Sequence, residues 1–290
     1  MKEIVCISGK GGTGKSSVVS ALSWIARENL VVADCDVDAA DLHLIFAPVA
    51  RQTEEFHSGI KAVIDPDKCI GCALCAQKCR FDAIVKRGKI FEVQALDCEG
   101  CGYCYHLCPA GAITLPEQAV GQWYISDTRF GCSLVHARLG IGADNSGKLV
   151  AKVKNEAKAL AQRETKDFLL VDGSPGIGCP VISSLSGADA VLMVTEPSLS
   201  AQSDLQRLWE LIQKFRIPAA CIINKADINP DISVQIKKWL KKVGIRHLAD
   251  LDYDTDFQIA ITNGKSVTEV NYAKWHPIFT AIWDGLKEIQ

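Results

Sequence analysis

The feature that most limits how this chain can fold is a duplicated run of cysteines. Shifting the sequence against itself by 29 residues puts Cys69, Cys72, Cys75 and Cys79 on Cys98, Cys101, Cys104 and Cys108. The same shift puts Ala83-Ile84 on Ala112-Ile113, so the repeat covers more than its thiols. Cys6, Cys35, Cys132, Cys179 and Cys221 are scattered. Disulfide scaffolds belong to small secreted domains. This chain has 290 residues and opens on Met1-Lys2-Glu3-Ile4-Val5-Cys6-Ile7, a strand-like start with no signal-peptide core. Clustered thiols in that setting read as metal ligands, and the expected location is cytoplasmic.

Composition removes other classes. Hydrophobic residues make up 48% and charged residues 23%, which excludes a disordered chain. A net charge of −2 provides no global field for nucleic acid or an anionic membrane, and neither is expected as a partner. Apolar runs such as Ala190–Val194 are strand-sized, too short to span a bilayer. Ile4–Ile7, Leu30–Ala33, Phe168–Val171, Ala190–Val194 and Ala219–Ile223 read as buried parallel strands. Helical periodicity runs near Lys15–Arg27, Lys148–Arg163, Ser200–Phe215 and Asp231–Lys242. The alternation predicts an α/β class, a doubly wound, mostly parallel sheet. The cysteine unit interrupts it. Residues 1–57 and 119–290 are expected to form one α/β domain, with 58–118 a small α+β insertion.

Gly9-Lys10-Gly11-Gly12-Thr13-Gly14-Lys15-Ser16 matches G-x-x-x-x-G-K-[ST], with a strand before it and a helix after it. Its backbone N–H groups and the helix N-terminus suit phosphates, so residues 9–16 and Ser17 are the expected nucleotide contacts. Lys15 would reach the β- and γ-phosphates, and Ser16 Oγ would ligate Mg²⁺. Two apolar strands end in carboxylates: Leu30–Asp34 leads into Cys35-Asp36, and Phe168–Asp172 into Gly173-Ser174-Pro175-Gly176. Ligand groups gather at such strand ends. Asp34 reads equally as a direct participant or as a structural carboxylate. Asn224-Lys225-Ala226-Asp227 spells the guanine-reading N-K-x-D, so GTP is the alternative base.

Cys-x2-Cys-x2-Cys-x3-Cys, twice, is the run of bacterial ferredoxins, whose fourth thiolate ligates the other cluster. Cys69, Cys72, Cys75 and Cys108 would hold one [4Fe–4S] cluster, and Cys98, Cys101, Cys104 and Cys79 a second. Zinc, the rival metal, normally takes two separated pairs rather than triplets. Arg80 stands where the pattern has proline, as it does at Pro109. Lys78, Arg80, Lys86, Arg87 and Lys89 form a basic neighbourhood that reads as solvated charge, as an offset to cluster charge, or as a docking site for an acidic redox partner.

The P-loop with its second lysine resembles the deviant Walker A of the MinD, ParA, Mrp and nitrogenase iron protein group. Together with the cysteine run, the chain resembles MinD superfamily ATPases carrying an inserted ferredoxin domain. The resemblance implies ATP as nucleotide and a nucleotide-dependent homodimer, or a heterodimer with a paralogue, in which Lys10 crosses to the partner's nucleotide. It implies that Asp172 lies near Mg²⁺ at the head of switch II and that Asp36, in switch I, orients the attacking water. It also implies that Asn224, beside Lys225, faces adenine. Residues 131–139 and 146–150 resemble family segments without assigned chemistry.

The expected function is an ATP-hydrolysing switch with two [4Fe–4S] clusters, coupling nucleotide-dependent closure to low-potential electron transfer with an unidentified redox partner. Alternatives are a maturation ATPase delivering clusters to an apo-protein and a redox-sensing positioning ATPase. Cys179 lies seven residues after Asp172, as a bridging-cluster cysteine does in the nitrogenase iron protein. With Cys132 it could bind a further cluster across a dimer, or it is an ordinary half-buried thiol before Pro180. His136 reads as structural, and the apolar stripe from Trp275 to Ile289 as a core-packing helix rather than a membrane anchor. Lys237, Lys238, Lys241 and Lys242 form a cationic helix face without interleaved aromatics.

Overall fold

The structure, a computed structural model, describes residues 1–37, 41–140 and 146–289. Along the chain the strands are β1 (Lys2–Ile7), β2 (Leu30–Asp34), β3 (Val49–Ile60), β4 (Val63–Ile64), β5 (Ile84–Arg87), β6 (Ile90–Val93), β7 (Ile113–Thr114), β8 (Glu117–Asp127), β9 (Ser133–Leu139), β10 (Phe168–Asp172), β11 (Ala190–Thr195), β12 (Ala219–Asn224) and β13 (Arg246–Leu251). The helices are α1 (Lys15–Ala26), α2 (Leu42–Phe46), α3 (Leu74–Lys78), α4 (Tyr103–Leu107), α5 (Ser146–Arg163), α6 (Cys179–Leu185), α7 (Leu199–Phe215), α8 (Pro230–Val243), α9 (Thr255–Thr262), α10 (Val267–Val270) and α11 (Tyr272–Lys287).

Two compact units result. One comprises Met1–Glu54, Trp123–Arg138 and the chain from Ser146 onward; the other comprises Glu55–Gln122 and a short segment beginning at Leu139. The chain passes between them within β3, within β8 and again near the end of β9. The larger sheet has the order β13-β12-β11-β1-β10-β2-β9-β8-β3. From β13 to β9 every neighbouring pair is parallel. Helices cover both faces of such a sheet, which explains why its strands are continuous apolar runs rather than alternating ones. Ile4 and Cys6 on β1 point into the core that holds Val18 and Leu22 of α1 and Trp275, Phe279 and Leu286 of α11. The opposite face meets α5, where Lys154 Nζ lies 2.6 Å from Glu3 Oε1 on β1. Lys154 also donates to the carbonyls of Ser184 and Ser186, each at 2.5 Å, which satisfies a charge that burial would otherwise penalise.

The second unit is built on the repeat. The β4–β7 pair is antiparallel, with Val63 opposite Thr114 and Ile64 opposite Ile113, and ties its start to its end. The β5–β6 hairpin pairs Ile84 with Val93 and Lys86 with Phe91. The repeated Ala83-Ile84 and Ala112-Ile113 are buried in equivalent places. The short helices α3 and α4 occupy equivalent places too, each ending at the fourth cysteine of its run, Cys79 or Cys108.

Candidate functional site

Parallel register brings the carboxylates together. Cys6 on β1 sits opposite Asp172 on β10, and Asp172 sits opposite Asp34 on β2. All three strands therefore release their chain at one edge, where β1 runs into the P-loop and α1 begins at Lys15. Lys15 Nζ lies 2.5 Å from Asp172 Oδ1 and 3.3 Å from Asp36 Oδ2, with its side chain only 6% exposed. Burial alone would lower its pKa, but the two carboxylates outweigh that and hold the ammonium above its usual value. Asp34 is pushed the other way. Burial and the neighbouring Asp172 charge raise its pKa well above the usual carboxylate range, while it accepts the Asp36 N–H at 3.2 Å. The geometry thus favours the structural reading of Asp34.

Two glycines show why the loop has this sequence. A Cβ on Gly14, which has φ +88°, would lie 2.3 Å from Asn224 Nδ2; one on Gly9 would lie 2.6 Å from Asp204 Cβ on α7. Ser8 Oγ donates to the Lys10 carbonyl (2.9 Å), and the Gly176 N–H to the Ser8 carbonyl (2.9 Å), linking the segment after Asp172 to the loop. The loop borders a cleft of about 400 Å³ lined by residues 11–17, Asp36, Asp41, Leu44, Pro175 and Ile261. Thr13 Oγ1, on the lining of that cleft, and Asp172 Oδ2, on the carboxylate paired with Lys15, are buried without a hydrogen-bond partner. Unpartnered buried oxygens beside a lysine and a helix N-terminus fit a phosphate–cation ligand, with Ser16 and Asp172 as the residues for Mg²⁺.

A neighbouring pocket of about 260 Å³ is lined by Gly12, Ser17, Asn224, Lys225, Tyr253 and Phe257, among others. Asn224 Nδ2 donates to the Thr13 carbonyl (2.8 Å), and its Oδ1 accepts the Lys225 N–H (3.0 Å). Asn224 therefore braces the P-loop as well as bordering this pocket. Asp227, the residue a guanine reader needs, accepts the Tyr253 N–H through Oδ1 at 2.6 Å. Lys10 lies in its own chain against Glu196 Oε1 (2.8 Å), and Lys225 Nζ against Glu196 Oε2 (3.0 Å). Sequence reading missed Glu196, since only the adjacency of β1, β11 and β12 brings it to the loop.

In the second unit the eight repeated thiols surround two pockets. Cys69, Cys72, Cys75 and Cys108 line one; Cys79, Cys98, Cys101 and Cys104 line the other, which Cys75 also touches. Each pocket is thus served by three thiols of one run and the fourth of the other. Among the described residues no three Cys, His, Asp or Glu side chains converge tightly enough for a single metal ion. Soft thiol donors spread four to a pocket fit a cluster.

The remaining candidates separate. Cys179 begins α6 and is exposed rather than half-buried, whereas Cys132 is 2% exposed in the core. His136 stacks on Tyr124 and hydrogen-bonds Ser126 at 2.9 Å; burial lowers its pKa to about 4. Residues 133–139 are β9, and 146–150 open α5. The α11 stripe from Trp275 to Leu286 is buried in the core, with Ile289 beyond it. No helix among the described residues is long and apolar enough to cross a membrane.

Comparison with known proteins agrees with this architecture. A family model described as a 4Fe-4S dicluster domain matches residues 62–115. The uncharacterized protein MJ0578 of Methanocaldococcus jannaschii is 34% identical over 261 residues, covering 89% of this chain and 87% of its own. Pyruvate synthase subunit PorD of Thermotoga maritima is 37% identical over 60 residues, 20% of this chain and 61% of its own. The septum site-determining protein MinD of Pyrococcus horikoshii, solved with Mg-ADP, superposes with a TM-score of 0.59 at 17% identity, covering 99% of this chain and 96% of its own.

Proposed function

This chain, which has the MinD fold and a 4Fe-4S dicluster domain, belongs to the family of the MJ0578 protein, and from that premise we propose that it is an ATP-driven switch exchanging low-potential electrons through two [4Fe–4S] clusters. The observation that carries the reading is the grouping of eight thiols, four to a pocket and crossed between the repeats, on a chain whose other unit holds a complete P-loop. When bound, the clusters supply one-electron redox capacity. The thiols do the holding: four ligands per cluster suit retention rather than delivery.

In the other unit, loop N–H groups and Lys15 bind the β- and γ-phosphates, and Lys15 exchanges its carboxylates for phosphate oxygens. Ser16 Oγ and the unpartnered Asp172 oxygen would hold Mg²⁺, which would offset phosphate charge. Asp36, 3.3 Å from Lys15, orients the water that attacks the γ-phosphorus. Asp227 is occupied by the Tyr253 backbone, which supports ATP over GTP. For Lys10 to reach a partner's nucleotide in an ATP-dependent homodimer, or a heterodimer with a paralogue, it must leave Glu196. The cytoplasm, where thiols stay reduced, suits this chemistry.

Anaerobically purified protein should contain about eight iron atoms per chain and show thiolate-to-iron charge-transfer absorption. It should also hydrolyse ATP slowly, and Lys15→Ala should abolish that hydrolysis. Colourless protein would refute the redox half, and hydrolysis unaffected by Lys15→Ala the nucleotide half.

A further inference from the structure

The charge of the second unit is unevenly placed. Residues 78–89 carry five cations, Lys78, Arg80, Lys86, Arg87 and Lys89, against one carboxylate, Asp82. One of the five, Arg87, pairs with Glu92; elsewhere in the unit Lys61 holds the Ala95 carbonyl and Lys68 pairs with Asp65. Lys78, Arg80, Lys86 and Lys89 are exposed and enter no ion pair among the described residues.

Their placement follows the thiols. Lys78 lines the pocket of Cys79, Cys98, Cys101 and Cys104, as does one carboxylate, Glu99, and the exposed Arg80 stands in sequence between Cys79 and Phe81, which also line it. Lys86 is paired in register with Phe91 and, by strand alternation, shares a face with Ile84. Phe91 lines one thiol pocket and Ile84 the other, so that hairpin face is the one turned to both. The Lys89 carbonyl lies 2.4 Å from where a Cβ on Gly71 would sit, between Ile70 and Cys72 of the first run. Large apolar side chains stand among these cations: Ile70 is 69% exposed, Phe81 43% and Tyr103 53%. Unpaired cations around exposed apolar side chains form an interaction surface, because a partner of opposite charge neutralises the first and buries the second.

We propose that this face docks a small acidic one-electron carrier protein, which exchanges electrons with the module there. This rests on the reading that the thiols hold redox clusters. The exchange moves one electron and nothing else. As the carrier is oxidised the module is reduced, or the reverse, with no bond, proton or group transferred.

The test uses the full chain with its clusters, mixed anaerobically with a reduced, acidic plant-type [2Fe–2S] ferredoxin as probe. From about 20 mM to 500 mM salt the second-order rate constant should fall about 10-fold or more. The variant Lys78→Glu/Arg80→Glu/Lys86→Glu/Lys89→Glu should lose about 10-fold at low salt and show a flat salt profile. The charge-keeping set Lys78→Arg/Arg80→Lys/Lys86→Arg/Lys89→Arg should behave as the parent. Calorimetric affinity between the two oxidised proteins should weaken in the charge-reversed variant alone. Reduced methyl viologen, a small cationic donor, should react with that variant at least as fast as with the parent. A ferredoxin rate indifferent to salt and to charge reversal, in a chain that viologen reduces, overturns the docking face alone. A chain that viologen cannot reduce overturns the redox reading and this inference with it.

Discussion

Lys15 is where the residue-scale account is most exposed to test. It is the cation beside two buried carboxylates, Asp172 and Asp36, with Asp34 adjoining. Lys15→Ala should eliminate ATP binding and also destabilise the fold by about 3 kcal/mol, the usual order for stripping a buried pair of one partner. Denaturant titration measures the second effect. Asp34→Asn should do the opposite, raising stability near pH 8 by about 1 kcal/mol while keeping an acceptor for the Asp36 N–H. The sign follows from the raised pKa of Asp34: the penalty on its folded-state charge is full above that raised value, declines as pH falls below it, and is gone below the ordinary carboxylate value of the unfolded chain. The gain from Asn should therefore shrink on acidification, and thermal melts across pH will show whether it does. Asp227→Ala should leave ATP favoured over GTP in competition binding, since that carboxylate holds the Tyr253 backbone. The P-loop and strand-end carboxylates were legible because their chemistry is local in sequence. Glu196 was not, because its partners Lys10 and Lys225 follow other strands, β1 and β12, far from it in sequence.

At the scale of elements, what could be read was what was buried on both faces. β1, β2, β10, β11 and β12 announced themselves as apolar runs, since helices cover them above and below. β3 was invisible: Val49–Ile60 is almost wholly exposed, so no alternation marks it. The short helix α2 also had no signal, and its position is set by a distant side chain. Arg129 donates through Nε to the Ile45 carbonyl (2.6 Å) and through both Nη atoms to Glu269 (2.7 and 2.6 Å). Burial pushes the Glu269 pKa up, but Arg129 and the Ser266 N–H outweigh it and hold it below the usual carboxylate value. A lowered pKa gives stability that is complete above the unfolded value of about 4.3 and is lost as pH falls through the folded one. Glu269→Gln should cost about 0.5–1 kcal/mol at pH 7, less in high salt, and remove that acid-side loss. Melting temperatures at pH 7 and in the acid range measure both.

For the whole molecule, one chain joins a nucleotide unit to a thiol-rich unit through β3, β8 and β9. The repeat made the second unit legible because ligand spacing is itself the chemistry; the surface it offers a partner depends on which cations the fold leaves unpaired. Cys179 stands exposed at the start of α6 while Cys132 is buried, so the two do not make a site within this chain. Iron content separates the two readings of Cys179: about eight per chain, unchanged in Cys179→Ala, is expected of an ordinary thiol, and a loss of iron in that variant of a cluster shared across a dimer. What most directly tests the central claim, that nucleotide state governs the redox module, is the anaerobic reoxidation rate of the reduced chain by a small acceptor, with MgATP, with MgADP and with neither. The account predicts a rate that differs several-fold between nucleotide states in the parent and is constant in Lys15→Ala. Equal rates in all three conditions, in protein shown to bind ATP and to carry its iron, would contradict it.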